Sequence, residues 1–278
     1  MKKEISFQGK KIFYRVEGEG KKVMLVHGFG EKSDVWNNQV EYLKSKAQLI
    51  VPDLPGSGDS EMIDDMSMEG MAEVLKAIFD FEKSVSSKVS PTGRVPIAIG
   101  IEGAVLIGHS MGGYIALAFA EKYPGYLQAL GLFHSSAFPD SEEKKATRRK
   151  GIAFIQGNSG FEFLKTTSPN LFSPVSKSEN QLLINEFIQS LNNFSGKTLV
   201  SYYEAMIKRP DRLHVLKNSK VPILFILGEF DPAVPLQDGL KLCHLPEKAY
   251  IHILRKSGHM GMLEEAETSN KMLEKFIN

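Results

Sequence analysis

The chain has 278 residues, 42% of them hydrophobic and 24% charged, and its 34 Lys and Arg nearly balance 33 Asp and Glu for a formal net charge of +1. This composition is that of an ordinary soluble globular protein, and the near-zero charge suits a small, uncharged or weakly charged substrate better than a polyanion. The length slightly exceeds the roughly 200–250 residues of a single α/β domain and falls short of two full domains, so one core plus an addition is expected. In chain order, Met1 to Gln8 carries Lys2 and Lys3 but no apolar stretch behind them, unlike a secretory signal. Apolar runs at Ile12 to Val16, Val23 to His27 and Leu49 to Val51 predict strands, and Gly18-x-Gly20 between the first two reads as a hairpin turn. A helix is expected from about Ser33, as N-cap, to Lys46, and another over Met68 to Ser84. A linker bearing Pro91, Gly93 and Pro96 leads to a strand at Ala104 to Gly108, a helix at Gly112 to Lys122 and a strand at Leu127 to Phe133.

From Ser136 to Val215 the rhythm changes to helices with polar connections and no strand. This reads as a helical cap inserted into a core of residues 1–135 and 216–278. Two or three of its nine aromatics, Phe138, Phe154, Phe161, Phe163, Phe172, Phe187, Phe194, Tyr202 and Tyr203, are expected to line a ligand cavity. Its basic run, Lys144, Lys145, Arg148, Arg149 and Lys150, follows Glu142 and Glu143, so a solvated helix face explains it better than nucleic-acid binding. Strands at Val221 to Gly228 and Tyr250 to Leu254 and a helix at Met260 to Ile277 complete the pattern. Cys243 is the single cysteine, which excludes an intrachain disulfide and any CxxC site. Nowhere is there an uncharged apolar run of about 18 residues, and a cytoplasmic protein that avoids membranes is expected. Strands alternating with helices, several apolar throughout, predict an α/β fold: a mostly parallel central sheet with helices on both faces.

The chemistry concentrates in Val105-Leu106-Ile107-Gly108-His109-Ser110-Met111-Gly112-Gly113. A buried strand enters a helix through Gly-x-Ser-x-Gly, where the flanking glycines let strand and helix approach while the serine is held exposed on a strained turn. Ser110 is then the nucleophile, and the Met111 N–H at the helix start is aimed at a developing oxyanion. A serine needs a base, and the base an orienting carboxylate. Seven histidines compete: His27, His109, His134, His214, His244, His252 and His259. The order serine, acid, histidine selects His259, which follows the last strand, and Asp231 in Gly228-Glu229-Phe230-Asp231-Pro232. Glu229 is the rival acid but lies closer to the strand. The Phe29 N–H in His27-Gly28-Phe29-Gly30 is the second oxyanion donor.

These features together resemble the α/β-hydrolase superfamily, from about Phe13 to the C-terminus and least across the cap. The resemblance rests on His27-Gly28-Phe29-Gly30, Asp53-Leu54-Pro55-Gly56-Ser57-Gly58, the elbow around Ser110, Gly228-x-x-Asp231 and Gly258-His259, in that order. It implies that His27 is scaffold and His109 elbow packing. Ser110 stands where haloalkane dehalogenases and epoxide hydrolases place aspartate. Carbon–carbon bond hydrolases of ring-cleavage products typically show Asn before the serine and Trp after the last histidine, where this chain has His109 and Met260. The resemblance therefore implies an esterase-like serine hydrolase of a small, largely apolar carboxylic ester or thioester, working without cofactor or metal. Carbon–carbon bond hydrolysis is the disfavoured alternative, and a hydrolase-like ligand receptor with little turnover is another.

Two other readings are weaker. Gly28-x-Gly30-x-x-Ser33 with Asp53 partly fits a dinucleotide fingerprint, but Ser33 replaces the third small residue and Asp53 sits in a Pro-Gly turn. Gly18-x-Gly20-Lys21-Lys22 resembles a phosphate loop but precedes a strand and lacks the following Ser or Thr. No two histidines stand at the i, i+4 spacing of a metalloprotease helix.

Overall fold

Apolar runs that bury both faces of a strand belong inside a covered sheet, and the computed structural model, which describes residues 1–87 and 103–278, places them there. In chain order the elements are β1 (Lys2–Phe7), β2 (Lys10–Glu17), β3 (Lys22–Val26), a 3-10 turn (Ser33–Trp36), α1 (Asn37–Leu43), β4 (Gln48–Pro52), α2 (Met68–Ser87), β5 (Ala104–His109), α3 (Met111–Lys122) and β6 (Leu127–Phe133). Then come α4 (Glu142–Gly157), α5 (Gly160–Thr167), α6 (Pro174–Glu179), α7 (Gln181–Ser190), α8 (Gly196–Lys208) and α9 (Leu213–Lys217), all helical and without a strand. The chain closes with β7 (Ile223–Gly228), α10 (Leu236–Leu240), β8 (Ala249–Leu254), α11 (Gly261–Glu264) and α12 (Ala266–Ile277). The expected linker at Pro91, Gly93 and Pro96 lies outside the described residues.

Among the described residues eight strands form one sheet in the order β1-β2-β4-β3-β5-β6-β7-β8. β2 is antiparallel to β1 and β4, and every other neighbouring pair is parallel. Alternate residues feed two cores. Met24, Val26 and Leu106 pack with α2 and α3 on one face, whereas Val23, Leu25, Val105 and Ile107 pack with α1 and α12 on the other. The helical segment between β6 and β7 has a small core of its own around Ile155, Phe163, Leu164, Leu191 and Leu199. Its Tyr202, Ala205 and Met206 join the first sheet core and its Phe172 and Ile184 the second, so the insertion is fastened to both. Among the described residues no helix is long and apolar enough to cross a membrane.

Three local expectations are corrected. Gly18-x-Gly20 is not a hairpin turn, because β4 lies between β2 and β3; the hairpin joins β1 to β2 through Gln8 and Gly9, both with positive φ. Ser33 does not cap a helix. It opens a 3-10 turn with no side-chain cap, its N–H donating to the Asp53 carboxylate at 2.9 Å, and α1 starts later and is shorter than expected. The closing helix is broken at Glu265, whose φ of −129° is not helical. Glu264 and Glu265 turn back there to hold the preceding loop.

Candidate active site

The turn from β5 into α3 is the local event that the glycine spacing foretold. Ser110 sits between them at φ 51° and ψ −115°, a conformation L-residues rarely adopt. A Cβ on Gly108 would come within 2.2 Å of the Gly112 carbonyl oxygen, and one on Gly112 within 2.5 Å of the Val26 carbonyl oxygen. The strained turn is pinned by the Ser110 N–H donating to the Phe133 carbonyl at 3.0 Å and by the Ser135 hydroxyl donating to the Ser110 carbonyl at 2.7 Å. Met111 begins α3 and is fully buried.

Asp231 follows β7 and His259 follows β8, and parallel neighbours bring the two loops to the same end of the sheet. His259 Nδ1 donates to Asp231 at 2.9 and 3.0 Å. The Ala233 and Val234 N–H groups each donate to Asp231 Oδ1 at 2.8 Å. Burial works against the Asp231 charge, but His259 and the hydrogen bonds outweigh it and hold the carboxyl far below the ordinary range. Burial likewise opposes charging His259, yet the facing carboxylate prevails and its pKa lies above the usual histidine value. Glu229, the rival acid, instead pairs with Arg255 at 3.3 Å on the surface.

His134 is a member that the sequence reading left unassigned. It directly follows β6, holds φ 48°, and donates from Nδ1 to Asp231 Oδ2 at 3.0 Å. Burial lowers its pKa despite Asp231, and its buried Nε2 has no hydrogen-bond partner. The available signal was position, since residues just past the ends of central parallel strands converge on one crevice. His134, Asp231 and His259 also have ligand atoms within 4.8 Å of one another, the geometry of a metal cluster. Here both imidazoles already direct an N–H at the carboxylate, which accounts for the grouping by hydrogen bonding.

Glu31 is a second unassigned residue. Its Oε2 accepts from the Gly28 N–H at 2.7 Å and from His109 Nδ1 at 3.0 Å. His109 Nε2 contacts the His259 carbonyl at 2.9 Å. Both nitrogens thus face oxygen atoms. Burial works against the Glu31 carboxylate, but His109 beside it keeps its pKa below the ordinary range. His109 is therefore more than elbow packing: with Glu31 it ties the Phe29 loop, the Ser110 elbow and the His259 loop together. His27 matches its scaffold reading, donating to the Gly28 carbonyl at 2.9 Å and accepting the Leu54 N–H at 3.0 Å. Asp53 braces the Ser33 N–H, a structural task unlike the ribose contact of a dinucleotide fold.

A cavity of about 180 Å³ is lined by Phe29, Glu31, Ser110 and His259 from the sheet framework and by Arg148, Leu164, Thr167, Ser168, Leu171, Tyr203 and Met206 from the insertion. Of the insertion aromatics only Tyr203 reaches it; its ring stacks on Phe29 with centroids 4.2 Å apart, and most of the others pack the interior. The His259 N–H donates to the Leu171 carbonyl at 2.7 Å, so the insertion also holds the histidine loop.

The profile described as "Alpha/beta hydrolase family" matches residues 23–270. Among similar proteins, a 2-hydroxy-6-oxononadienedioate/2-hydroxy-6-oxononatrienedioate hydrolase of Paraburkholderia phymatum is 27% identical over 96% of this chain and 91% of its own. A 2-hydroxy-6-oxo-6-phenylhexa-2,4-dienoate hydrolase of Comamonas testosteroni is 24% identical over the same shares. Among solved structures, a thermophilic esterase from Thermogutta terrifontis superposes with a TM-score of 0.87 at 25% identity, over 100% of this chain and 98% of that one. The enol-lactonase of Burkholderia xenovorans gives 0.85 at 20% identity, over 99% of each chain. Hydrolases of 2-hydroxy-6-oxo-dienoates thus stand among the relatives, although the carbon–carbon bond branch was disfavoured because this chain has His109 and Met260 where Asn and Trp are typical. With the profile spanning most of the chain and the sheet, elbow and strand-end loops in the matching order, the protein belongs to the alpha/beta hydrolase family.

Proposed function

We propose that the protein is a serine hydrolase that cleaves a small carboxylic ester, thioester or lactone through an acyl-enzyme on Ser110. One observation carries the reading: Ser110, on its strained turn, lines the same cavity as His259, whose Nδ1 is committed to Asp231. That commitment leaves His259 Nε2 to take the Ser110 proton as the oxygen attacks the carbonyl. The Phe29 and Met111 N–H groups stabilise the oxyanion. The bond to the leaving group then breaks, His259 returns the proton to the departing alcohol, thiol or lactone oxygen, and water activated by the same imidazole releases the acid. Residues 136–215 act as a cap over a core of 1–135 and 216–278, supported by their share of the cavity wall.

The test is hydrolysis of short p-nitrophenyl esters and labelling by a fluorophosphonate. Labelling confined to Ser110 and near-complete loss of turnover in Ser110→Ala are expected; an alanine variant that keeps most activity overturns the assignment. Asp231→Asn, which turns the imidazole to the wrong tautomer, is expected to lower kcat by about 10⁴-fold while the protein stays folded. A second reading, carbon–carbon bond hydrolysis, was disfavoured on His109 and Met260 yet is the one the sequence relatives at 27% and 24% identity support better, whereas the ester reading draws on the fold and on the placing of Ser110. Turnover of a 6-oxodienoate with a kcat/KM above that of every ester and lactone would favour it.

A further inference from the structure

Charge is unevenly distributed around the cavity. Of the charged side chains in its wall, Glu31 is already engaged by His109 and by the Gly28 N–H. Arg148, on α4, is different. Its Nε and Nη2 donate to the buried Asp140 at 2.5 and 3.2 Å, and its guanidinium lies 5.4 Å from the centre of the Tyr203 ring. Asp140 serves a second cation as well, Arg209 Nη2 at 3.0 Å. One carboxylate therefore faces two guanidinium groups, leaving an excess of one positive charge. Arg209 is turned into the fold: it is buried, donates to the carbonyls of Met206 and Phe138 at 2.8 and 3.1 Å, and covers the Tyr114 ring at 3.9 Å. Arg148 alone of the two lines the cavity, and among the described residues its Nη1 has no acceptor. A guanidinium has five N–H donors in a fixed fork that matches a carboxylate, so the donors left free suit a second carboxylate.

We propose that Arg148 is an anion-binding residue of the cavity and that the substrate carries a carboxylate within reach of α4. Ser110 and Arg148 line the same cavity, so an acyl group on Ser110 shares its space with the guanidinium. The placement rests on the Ser110 hydrolase reading. A bracing role for Arg148, with Asp140 and Tyr203, predicts instead equal losses on charged and neutral substrates.

The experiment compares matched esters. With the carboxylate on the acyl part, mono-4-nitrophenyl glutarate is set against 4-nitrophenyl pentanoate. With it on the alcohol part, 4-acetoxybenzoate is set against its methyl ester. Wild type is expected to prefer the charged member of at least one pair, and Arg148→Met to lower that kcat/KM ratio at least tenfold, with Arg148→Lys recovering part of it. Binding of glutarate to the Ser110→Ala protein, followed by calorimetry, reads the same subsite without turnover and is expected to be lost when Arg148→Met is added. No preference in either pair with no glutarate binding, or an Arg148→Met loss equal on both members of a pair, overturns the proposal. If no ester is turned over and Ser110 is not labelled, the hydrolase reading fails, and glutarate binding alone then decides the role of Arg148. Should Arg148→Met not fold, wild-type selectivity and glutarate binding decide it in the same way.

Discussion

Replacing Glu31 by Gln keeps the side-chain shape and removes the charge that faces His109. Glu31 is 3% exposed, so neither group can recover its loss from water. The two buried hydrogen bonds to the charged carboxylate are worth about 1.5–3 kcal/mol each, and the glutamine carbonyl regains about 1 kcal/mol by still accepting one of the two donors. A net loss of about 2–5 kcal/mol is expected in urea-induced unfolding of Glu31→Gln. Because the same contacts join the Gly28 N–H, the residue before Ser110 and the His259 carbonyl, ester kcat should fall more than KM rises. His109→Gln and the double variant complete a thermodynamic cycle, and a coupling energy of about 1.5 kcal/mol or more is expected for groups in one network. A Glu31→Gln change within about 0.5 kcal/mol of wild type, the range of ordinary surface substitutions, would refute the reasoning.

The elbow predicts a second asymmetry. Gly112→Ala places a Cβ 2.5 and 2.6 Å from two backbone carbonyl oxygens, those of Val26 and His27, neither of which can swing aside. A loss of about 1–3 kcal/mol with reduced turnover is expected on thermal or urea unfolding, against a change within about 0.5 kcal/mol for Gly125→Ala, whose Cβ meets nothing within 4 Å. Acid should weaken the fold through Asp231 and Glu31. Both carboxyls are held below their ordinary pKa, so their contribution is complete above about pH 4.5 and is lost as pH falls below that range, where the unfolded chain takes up protons first. Urea midpoints at descending pH check this, and a midpoint that rises below pH 4 contradicts it. His259 must be neutral to accept the Ser110 proton, and its pKa is raised from 6.5. The acid limb of kcat/KM on a neutral ester is therefore expected to have its half-point above 6.5; a half-point below that value would remove the Asp231 influence.

What the sequence determined by itself was local. Apolar runs without alternation marked the inner strands, and the spacing of Gly108, Ser110 and Gly112 announced a strand-to-helix turn because close approach there permits no side chain. Asp231 and His259 were expected from the chain order of nucleophile-elbow hydrolases, each standing after a recognisable strand. What only the tertiary structure decided were partnerships between residues far apart in the chain. The β2–β4 pairing, which makes Gly18-x-Gly20 a crossover instead of a hairpin turn, depends on which strands lie side by side. The same holds for His134 on Asp231 and for Glu31 on His109, 97 and 78 residues apart. Arg148 read as part of a solvated basic face because its neighbours are charged, yet α4 turns it toward Asp140 and the cavity. Helical periodicity gives the face a residue occupies but not what that face meets, and packing across the sheet settles that.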